Sequence, residues 1–352
     1  MDIKNSWNIG MKINIAGLFA VYMLTSCAST PPPQWVENLE AAFPGDKYIA
    51  VRGTSGRRET VIQEAQTVLS FYFQTQVSSS TNLADSYREQ NGAVSQSVQM
   101  ERRMLVQTEA VLQNVQFTAP WRNPGTGLWE IAAYINREKA WEAFSSHAKK
   151  SADELAQLFV GAREENADPF ICALNWSKAE AYAAGEEFIT AWSYAQILDP
   201  VRAEVLFNEV NGYRPALPRE AADARRNASV YLECPLDLNG LILNAAKAAF
   251  STVGFPIASE RGRAEAVCVI HVTEGLLPRP PGTGTFYRPV LVGNVTSRAG
   301  TAVFSFDASA EVQSAIDPDL ARSRAYAALA HALRDTLPKR LREGAVEAKK
   351  NS

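Results

Sequence analysis

The sequence predicts an α+β fold: two small sheet-plus-helix domains joined by a helical hairpin and preceded by an apolar leader. Three observations predict it. Two strand-like runs, Tyr48-Ile49-Ala50-Val51-Arg52-Gly53 and Leu128–Asn136 (LWEIAAYIN), flank a long segment with helical spacing. Residues 137–228 then read almost wholly as helix, and from Ser229 onward the order is β-α-β-β-β-β-α. The chain has 352 residues, 46 % of them hydrophobic and 21 % charged, the composition of a folded protein with room for two ordinary domains. Its formal net charge is −3 and it has no basic block, so nucleic acid is not an expected partner.

The leader comes first. Met11–Cys27 reads MKINIAGLFAVYMLTSC: a lysine, a short apolar run, then Leu24-Thr25-Ser26-Cys27. A charged start, an apolar run too brief to cross a bilayer comfortably and small residues at the end describe a secretory signal. Met11-Lys12 reads as a second start, which makes Met1–Gly10 an upstream extension. The end of the run resembles the lipobox of bacterial lipoproteins, with leucine three residues before a cysteine and small residues between. That resemblance implies cleavage before Cys27 and acylation of its thiol and of the new N-terminus, an anchor of several acyl chains. The signal peptide is then residues 1–26. Removing 26 residues leaves 326, with 33 basic and 37 acidic side chains, or −4. Residues 27–33 form a tether, Ala28-Ser29-Thr30 followed by three prolines that cannot pack as a helix. No later segment approaches twenty apolar residues, so no membrane-spanning helix is expected after the signal.

Residues 34–140 make the first domain. After Gln34-Trp35-Val36 comes the strand ending at Gly53, then a helix from about Arg57 with Val61, Ile62, Ala65, Val68, Leu69, Tyr72 and Phe73 at helical spacing. Ser78–Asn82 is expected to end it, and residues 85–98 are a polar loop or frayed helix start. Met100–Gln113 fits helix and strand equally. Asn114–Pro120 reads as a strand, Arg122–Gly127 as a turn, and Leu128–Asn136 as the returning strand of a hairpin. The Pro33-to-Trp35 opening, the Tyr48–Gly53 strand, the alanine-containing helix and the tryptophan-turn-strand hairpin ending at Asn136-Arg137 resemble the Lpp-twenty lipoprotein family. Flagellar outer-membrane lipoproteins carry related domains. The resemblance covers about Pro33–Ala140, a third of the chain, and departs from the pattern at Arg52 and in the polar insertion at 85–98.

Residues 141–228 are expected to be a helical connector. One helix extends to Asp168-Pro169, and a second, from Phe170, to Asp199-Pro200. The ending AWSYAQILDP resembles the second half of a tetratricopeptide unit, but one unit is too few for a solenoid. Val201–Val210 is a third short helix, and Pro215–Asn227 a charged linker with Arg219, Arg225 and Arg226. The domain at 229–352 opens with the strand Val230–Leu232 and the helix Asn239–Val253. Gly254–Ile257 starts a second strand, Ala266–Val272 is a central one, and Tyr287–Thr296 and Thr301–Val312 follow. Phe304, Phe306 and Ala308 alternate along the last strand, with Val303 facing opposite Phe304, and Asp317-Pro318-Asp319 caps a last helix with Leu320, Leu329, Leu333, Leu337 and Leu341 on one face.

Chemistry-bearing residues are sparse. His147, His271 and His331 lie far apart, none at metal spacing, and His271 sits in a buried-looking strand. No nucleophile elbow, paired-carboxylate signature or zinc-protease motif occurs. Gly282-Thr283-Gly284-Thr285 lacks the glycine spacing and lysine of a phosphate loop and reads as part of a proline-rich hairpin loop. Trp35, Trp121, Trp129 and Trp141 line a ligand groove or, the better expectation, pack core and interfaces. With Cys27 given to lipid, Cys172, Cys234 and Cys268 remain; Cys234 and Cys268 either pair across a sheet or stay buried thiols, the latter being the better expectation. The sequence therefore names one functional residue, the lipidation site Cys27, and no catalytic, metal or cofactor-binding residue. The expected protein is a non-catalytic lipoprotein held in the outer membrane by N-terminal acyl chains, facing the periplasm. Ala28-Ser29 lacks the aspartate tied to inner-membrane retention. The expected role is a structural or assembly scaffold for envelope or flagellar-basal components. The alternative is a periplasmic binding module for a lipid or peptidoglycan fragment.

Overall fold

The computed structural model describes residues 31–85, 114–164, 168–278 and 284–343. The leader, Cys27, Met100–Gln113, most of the 85–98 loop and the proline-glycine part of the late hairpin loop lie outside the described residues. The fold is α+β, with two compact units. One holds described residues 31–76 and 114–140, the other 77–85 and everything from Trp141 onward.

In the first unit, α1 (Gln34–Glu37) and α2 (Leu39–Ala42) precede β1 (Tyr48–Ser55), α3 (Val61–Asp85), β2 (Gln116–Phe117), β3 (Trp121–Arg122) and β4 (Trp129–Asn136). The sheet is antiparallel in the order β1-β4-β2, with β3 also on β4. The β1–β4 register runs from Tyr48 opposite Asn136 to Ser55 opposite Trp129. Strand β4 is central, so Ile131, Ala132, Ala133 and Ile135 are all fully buried; that is why WEIAAYIN is a near-continuous apolar run. Val61, Ala65, Leu69 and Phe73, four residues apart, bury one stripe of α3. Gly53 admits that helix closely: a Cβ there would lie 2.5 Å from the Ala65 Cβ.

The helix starts at Val61, later than Arg57, because the Ser55 and Thr60 hydroxyls bond at 2.7 Å and hold a turn first. It also runs on through Ser78–Asn82 to Asp85. Hydroxyl residues do not stop it where they bond back within the helix, as Thr75 does to the Phe71 carbonyl at 2.8 Å. The hairpin turn forms as composition demands. The Asn123 side-chain oxygen accepts from the Gly125 and Thr126 N–H groups, and Gly127 takes φ +72°.

The second unit carries α4 (Arg137–Ala162), which begins in the first, then α5 (Pro169–Ala183), α6 (Glu186–Leu198), α7 (Pro200–Leu206), α8 (Asn208–Tyr213) and α9 (Leu217–Arg226). The single helix read from Phe170 to Asp199 is two, broken at Gly185, whose extended backbone caps α6; Glu186 and Glu187 then face the positive end of that helix. Asp168 and Asp199 cap α5 and α7 by accepting from Phe170 and Arg202 N–H groups at 2.9 Å. Pro215–Asn227 is not a linker: Leu217 and Ala221 bury one side of α9, and Arg225 donates to Glu180 and Ser177 of α5 at 2.7 and 3.1 Å.

After these come β5 (Val230–Glu233), α10 (Leu241–Val253), β6 (Ala266–Thr273), β7 (Leu276–Leu277), β8 (Thr285–Tyr287), β9 (Val290–Ser297), β10 (Ala302–Ser309), β11 (Gln313–Ala315) and α11 (Pro318–Glu343). The main sheet runs β10-β9-β6-β5, parallel only between β5 and β6. Phe304, Phe306 and Ala308 point inward as the alternation requires, and join α10 and α11 in one buried cluster. Phe170, Ala173 and Leu174 of α5 belong to that same cluster, so the helices read as a connector are built into the C-terminal unit.

Three further corrections follow from neighbours in space. The strand expected at Gly254–Ile257 is a single bridge from Ile257 to Val230. The strand expected from Tyr287 is cut by Pro289, which has no N–H to give; β8 instead joins β7 and β11 in a separate three-stranded sheet. Leu320 is 46 % exposed while Leu329, Leu333, Leu337 and Leu341 are buried.

Candidate functional site

The feature best placed for a role sits where the chain enters the first unit. Trp35 is buried, and Asn38 caps α2 by accepting from the Ala41 N–H at 3.0 Å. The turn of chain that carries Trp35 is clamped by Arg52 on β1, whose guanidinium donates to the Trp35 and Val36 carbonyls at 3.0 and 2.6 Å. The same guanidinium lies 3.5 Å from the Glu130 carboxylate on β4. Glu130 is only 6 % exposed, and its other oxygen accepts from the Asn123 amide at 2.7 Å. A continuous polar path thus runs from the strap at 34–36, through Arg52 and Glu130, to the residue that shapes the hairpin turn. Phe43 closes the strap by stacking on Tyr134 with ring centres 4.3 Å apart, and Arg137 ties the loop after it by donating to the Gly45 carbonyl at 2.8 Å.

Arg52 stood out in the sequence as an extra residue before Gly53; the structure makes it the clamp. Glu130 drew no notice there. A lone acid within an apolar strand is the signal that finds such a residue, since a buried charge needs a partner.

The four tryptophans do not line one groove. Trp35 and Trp121 lie on the Arg52 side of the first sheet, Trp129 on the α3 side beneath the Arg58 guanidinium at 5.4 Å, and Trp141 in the second unit beneath Arg202 at 4.9 Å. His271 is exposed, because strand alternation turns Ile270 and Val272 inward and leaves it out. His331 meets Asp335 at 3.0 Å on the exposed side of α11, and His147 lies against Phe144. Among the described residues no cluster of three or more His, Cys, Asp or Glu has the geometry to hold a metal, and no helix is long and apolar enough to cross a membrane.

Cys172, Cys234 and Cys268 are free thiols. Burial pushes the Cys268 thiol far up, and burial with the Asp237 charge pushes Cys234 up to about 11, so neither is a ready nucleophile. Of the loop at 282–285, only Gly284 and Thr285 are described. Gly284 has φ +87° where it passes the Ala315 carbonyl, a turn role.

In the second unit the face of the main sheet away from α10 and α11 is uncovered among the described residues, with Val290 and Val292 37 % and 44 % exposed. At its β10 edge Val292, Asn294, Ser305, Phe306, Asp307, Arg340 and Glu343 line an open depression of about 570 Å³. Arg340 donates to Asp307 across it at 2.7 Å. Gly293 lets the Phe306 ring lie flat on β9.

No family model matches the chain, and the search of curated proteins gives no match. Among solved structures it is similar to a secreted protein of Helicobacter pylori, at 12 % identity and a TM-score of 0.33, over 82 % of this chain and 97 % of that one. It is also similar to a minor lipoprotein from Acinetobacter baumannii, at 14 % identity and a TM-score of 0.22, over 33 % of this chain and 90 % of that one.

Proposed function

We propose that the protein is a non-catalytic lipoprotein of the cell envelope, anchored through acyl chains on Cys27 in the outer membrane and acting as a scaffold for other envelope or flagellar-basal components. The observation that carries this reading is Leu24-Thr25-Ser26-Cys27 at the end of a short apolar run, followed within eight residues by a strapped tryptophan. Residues 28–34 extend at most about 25 Å, so an anchor at Cys27 holds the first unit close to the bilayer. The clamp suits that position. Arg52 ties the first helical turn after the tether to the middle of a sheet, so a pull on the anchor is met by β1 and β4 together. The uncovered face of the C-terminal sheet is the surface left for a protein partner.

Intact-mass measurement of the protein taken from cells tests the anchor. The expected result is loss of the first 26 residues and a mass gain of several acyl chains; an unmodified thiol at Cys27 overturns the reading. Capture from detergent-solubilised envelope tests the role. A stoichiometric protein partner supports the scaffold, whereas co-purified lipid or peptidoglycan fragment without one favours a binding module. Fractionation with the inner membrane overturns the outer-membrane assignment.

A further inference from the structure

The corner between α8 and α9 holds an unusual arginine. The Arg214 guanidinium lies between two rings one turn apart on α6, with Cζ 5.4 Å from the Phe188 ring centre and 5.0 Å from that of Trp192. Among the described residues no carboxylate pairs with it and no acceptor bonds it, and burial holds its pKa below the ordinary arginine value.

Among the described residues the indole N–H of Trp192 and the hydroxyl of Tyr213, the residue before Arg214, are both buried without a partner. Tyr213 in turn stacks on Phe159, ring centres 3.7 Å apart, and Arg163 lies over that ring at 4.4 Å. The corner therefore collects two guanidinium groups on aromatic rings and two idle donors, with no negative charge among the described residues bonded to any of them. Buried polar groups without partners call for an explanation, and here every idle hydrogen asks for an acceptor.

We infer that Arg214, framed by Phe188 and Trp192, is a binding site for a single carboxylate carried on an apolar or aromatic frame. The planar guanidinium fork matches a carboxylate's two oxygens. One partly buried cation balances one negative charge. A phosphate dianion brings a second charge that aromatic walls cannot solvate, so the monoanion is preferred. Phe188 is fully buried behind the guanidinium, and the partly exposed Trp192 ring gives the ligand's frame something to lie on. A purely structural cap, with arginine stacked on aromatics, accounts for the ring contacts but leaves the missing counter-charge and the idle donors unexplained. The inference stands whether or not Cys27 is acylated.

The test uses the full chain in detergent, with benzoate as probe and benzamide as its uncharged isostere, read by calorimetry and by tryptophan fluorescence. Benzoate is expected to bind saturably in the millimolar range proper to so small a ligand, and benzamide not at all. Arg214→Gln is expected to weaken benzoate at least about tenfold, the loss of one charge-assisted contact. Trp192→Phe is expected to remove the fluorescence response while calorimetry still detects binding. Equal binding of benzoate and benzamide overturns the site, as does benzoate binding unchanged by Arg214→Gln, or inorganic phosphate binding more tightly than benzoate. Should Arg214→Gln not fold by circular dichroism, the benzoate–benzamide comparison on the native protein still decides. A peptide ending in phenylalanine, as free acid and as amide, separates the sources. Preference for the acid over both its amide and benzoate indicates a polypeptide C-terminus, benzoate over the peptide a small organic acid, and acid equal to amide refutes the carboxylate.

Discussion

Replacing Arg52 with methionine keeps most of the side-chain length and removes the charge on which the first unit's strap depends. In the wild type that guanidinium holds two carbonyls, of Trp35 and Val36, and faces the Glu130 carboxylate at 3.5 Å. Without it, Glu130 keeps the Asn123 amide as its side-chain donor at a position 6 % exposed. Breaking one partner of a fully buried ion pair costs about 3–5 kcal/mol. The Arg52 side chain is 35 % exposed, so water relieves part of that; the two lost hydrogen bonds to carbonyls add some back. The expected loss is about 2–4 kcal/mol. Urea unfolding followed by tryptophan fluorescence measures it, since the strap itself carries Trp35.

The decisive comparison adds Glu130→Gln. If the penalty comes from a stranded carboxylate, the double variant is more stable than Arg52→Met alone, and the coupling between the two sites is about 1–2 kcal/mol. A loss below about 0.5 kcal/mol for Arg52→Met, the scale of ordinary surface changes, refutes the reasoning. So does a double variant whose loss is the plain sum of the two singles, because the charges would then not be interacting.

Gly53→Ala is expected to destabilise the first unit by at least about 1–3 kcal/mol, as overpacking does, because the new Cβ meets Ala65 of α3 at 2.5 Å; a thermal melt checks it. Gly293→Ala is expected to destabilise the second unit by a similar amount by striking the Phe306 ring, and adding Phe306→Leu should recover part of the loss. Alkali should weaken the fold. Burial and Asp237 raise Cys234 from 9.0 to about 11, and burial chiefly raises Tyr182 and Tyr213 from 10.0 to about 12. Raised values favour the protonated forms in the fold, so this stability is complete below pH 9 and is lost as pH climbs from 9 through 12; urea midpoints at pH 8 and 10.5 measure it. Maleimide labelling of the native protein at pH 7.5 should leave Cys268 unmodified and reach Cys172 and Cys234 first, while denaturant exposes all three; labelling of Cys268 as fast as Cys172 contradicts its burial.

Local signals carried far in this chain. The Arg122–Gly127 turn and the alternation of Phe304, Phe306 and Ala308 both formed as read, because each depends on residues within a few positions of one another. The misreadings share the opposite property. Arg219, Arg225 and Arg226 look like a solvated linker until Arg225 finds Glu180, 45 residues away, and Leu217 and Ala221 find a core. His271 looks buried in a run of apolar residues because both faces of a central strand carry them, and only the layout of α10 and α11 says which face is covered. Pro289 and Gly185 were punctuation whose weight depended on what lay beside them.

By itself, then, the sequence determined the α+β class, the long strands and long helices of the two units, and one residue with an expected chemical fate, Cys27, since a cleavage-and-acylation signal is read as linear text. Tertiary structure alone decided that Arg52 clamps the strap, that Glu130 is its buried counter-charge, that the middle helices belong to the C-terminal core, and that Arg214 lies against two rings with no acid among the described residues paired to it. The physical reason is common to all four. Charge pairing and burial are relations between side chains far apart along the chain, and a residue's type fixes what it needs but not who supplies it.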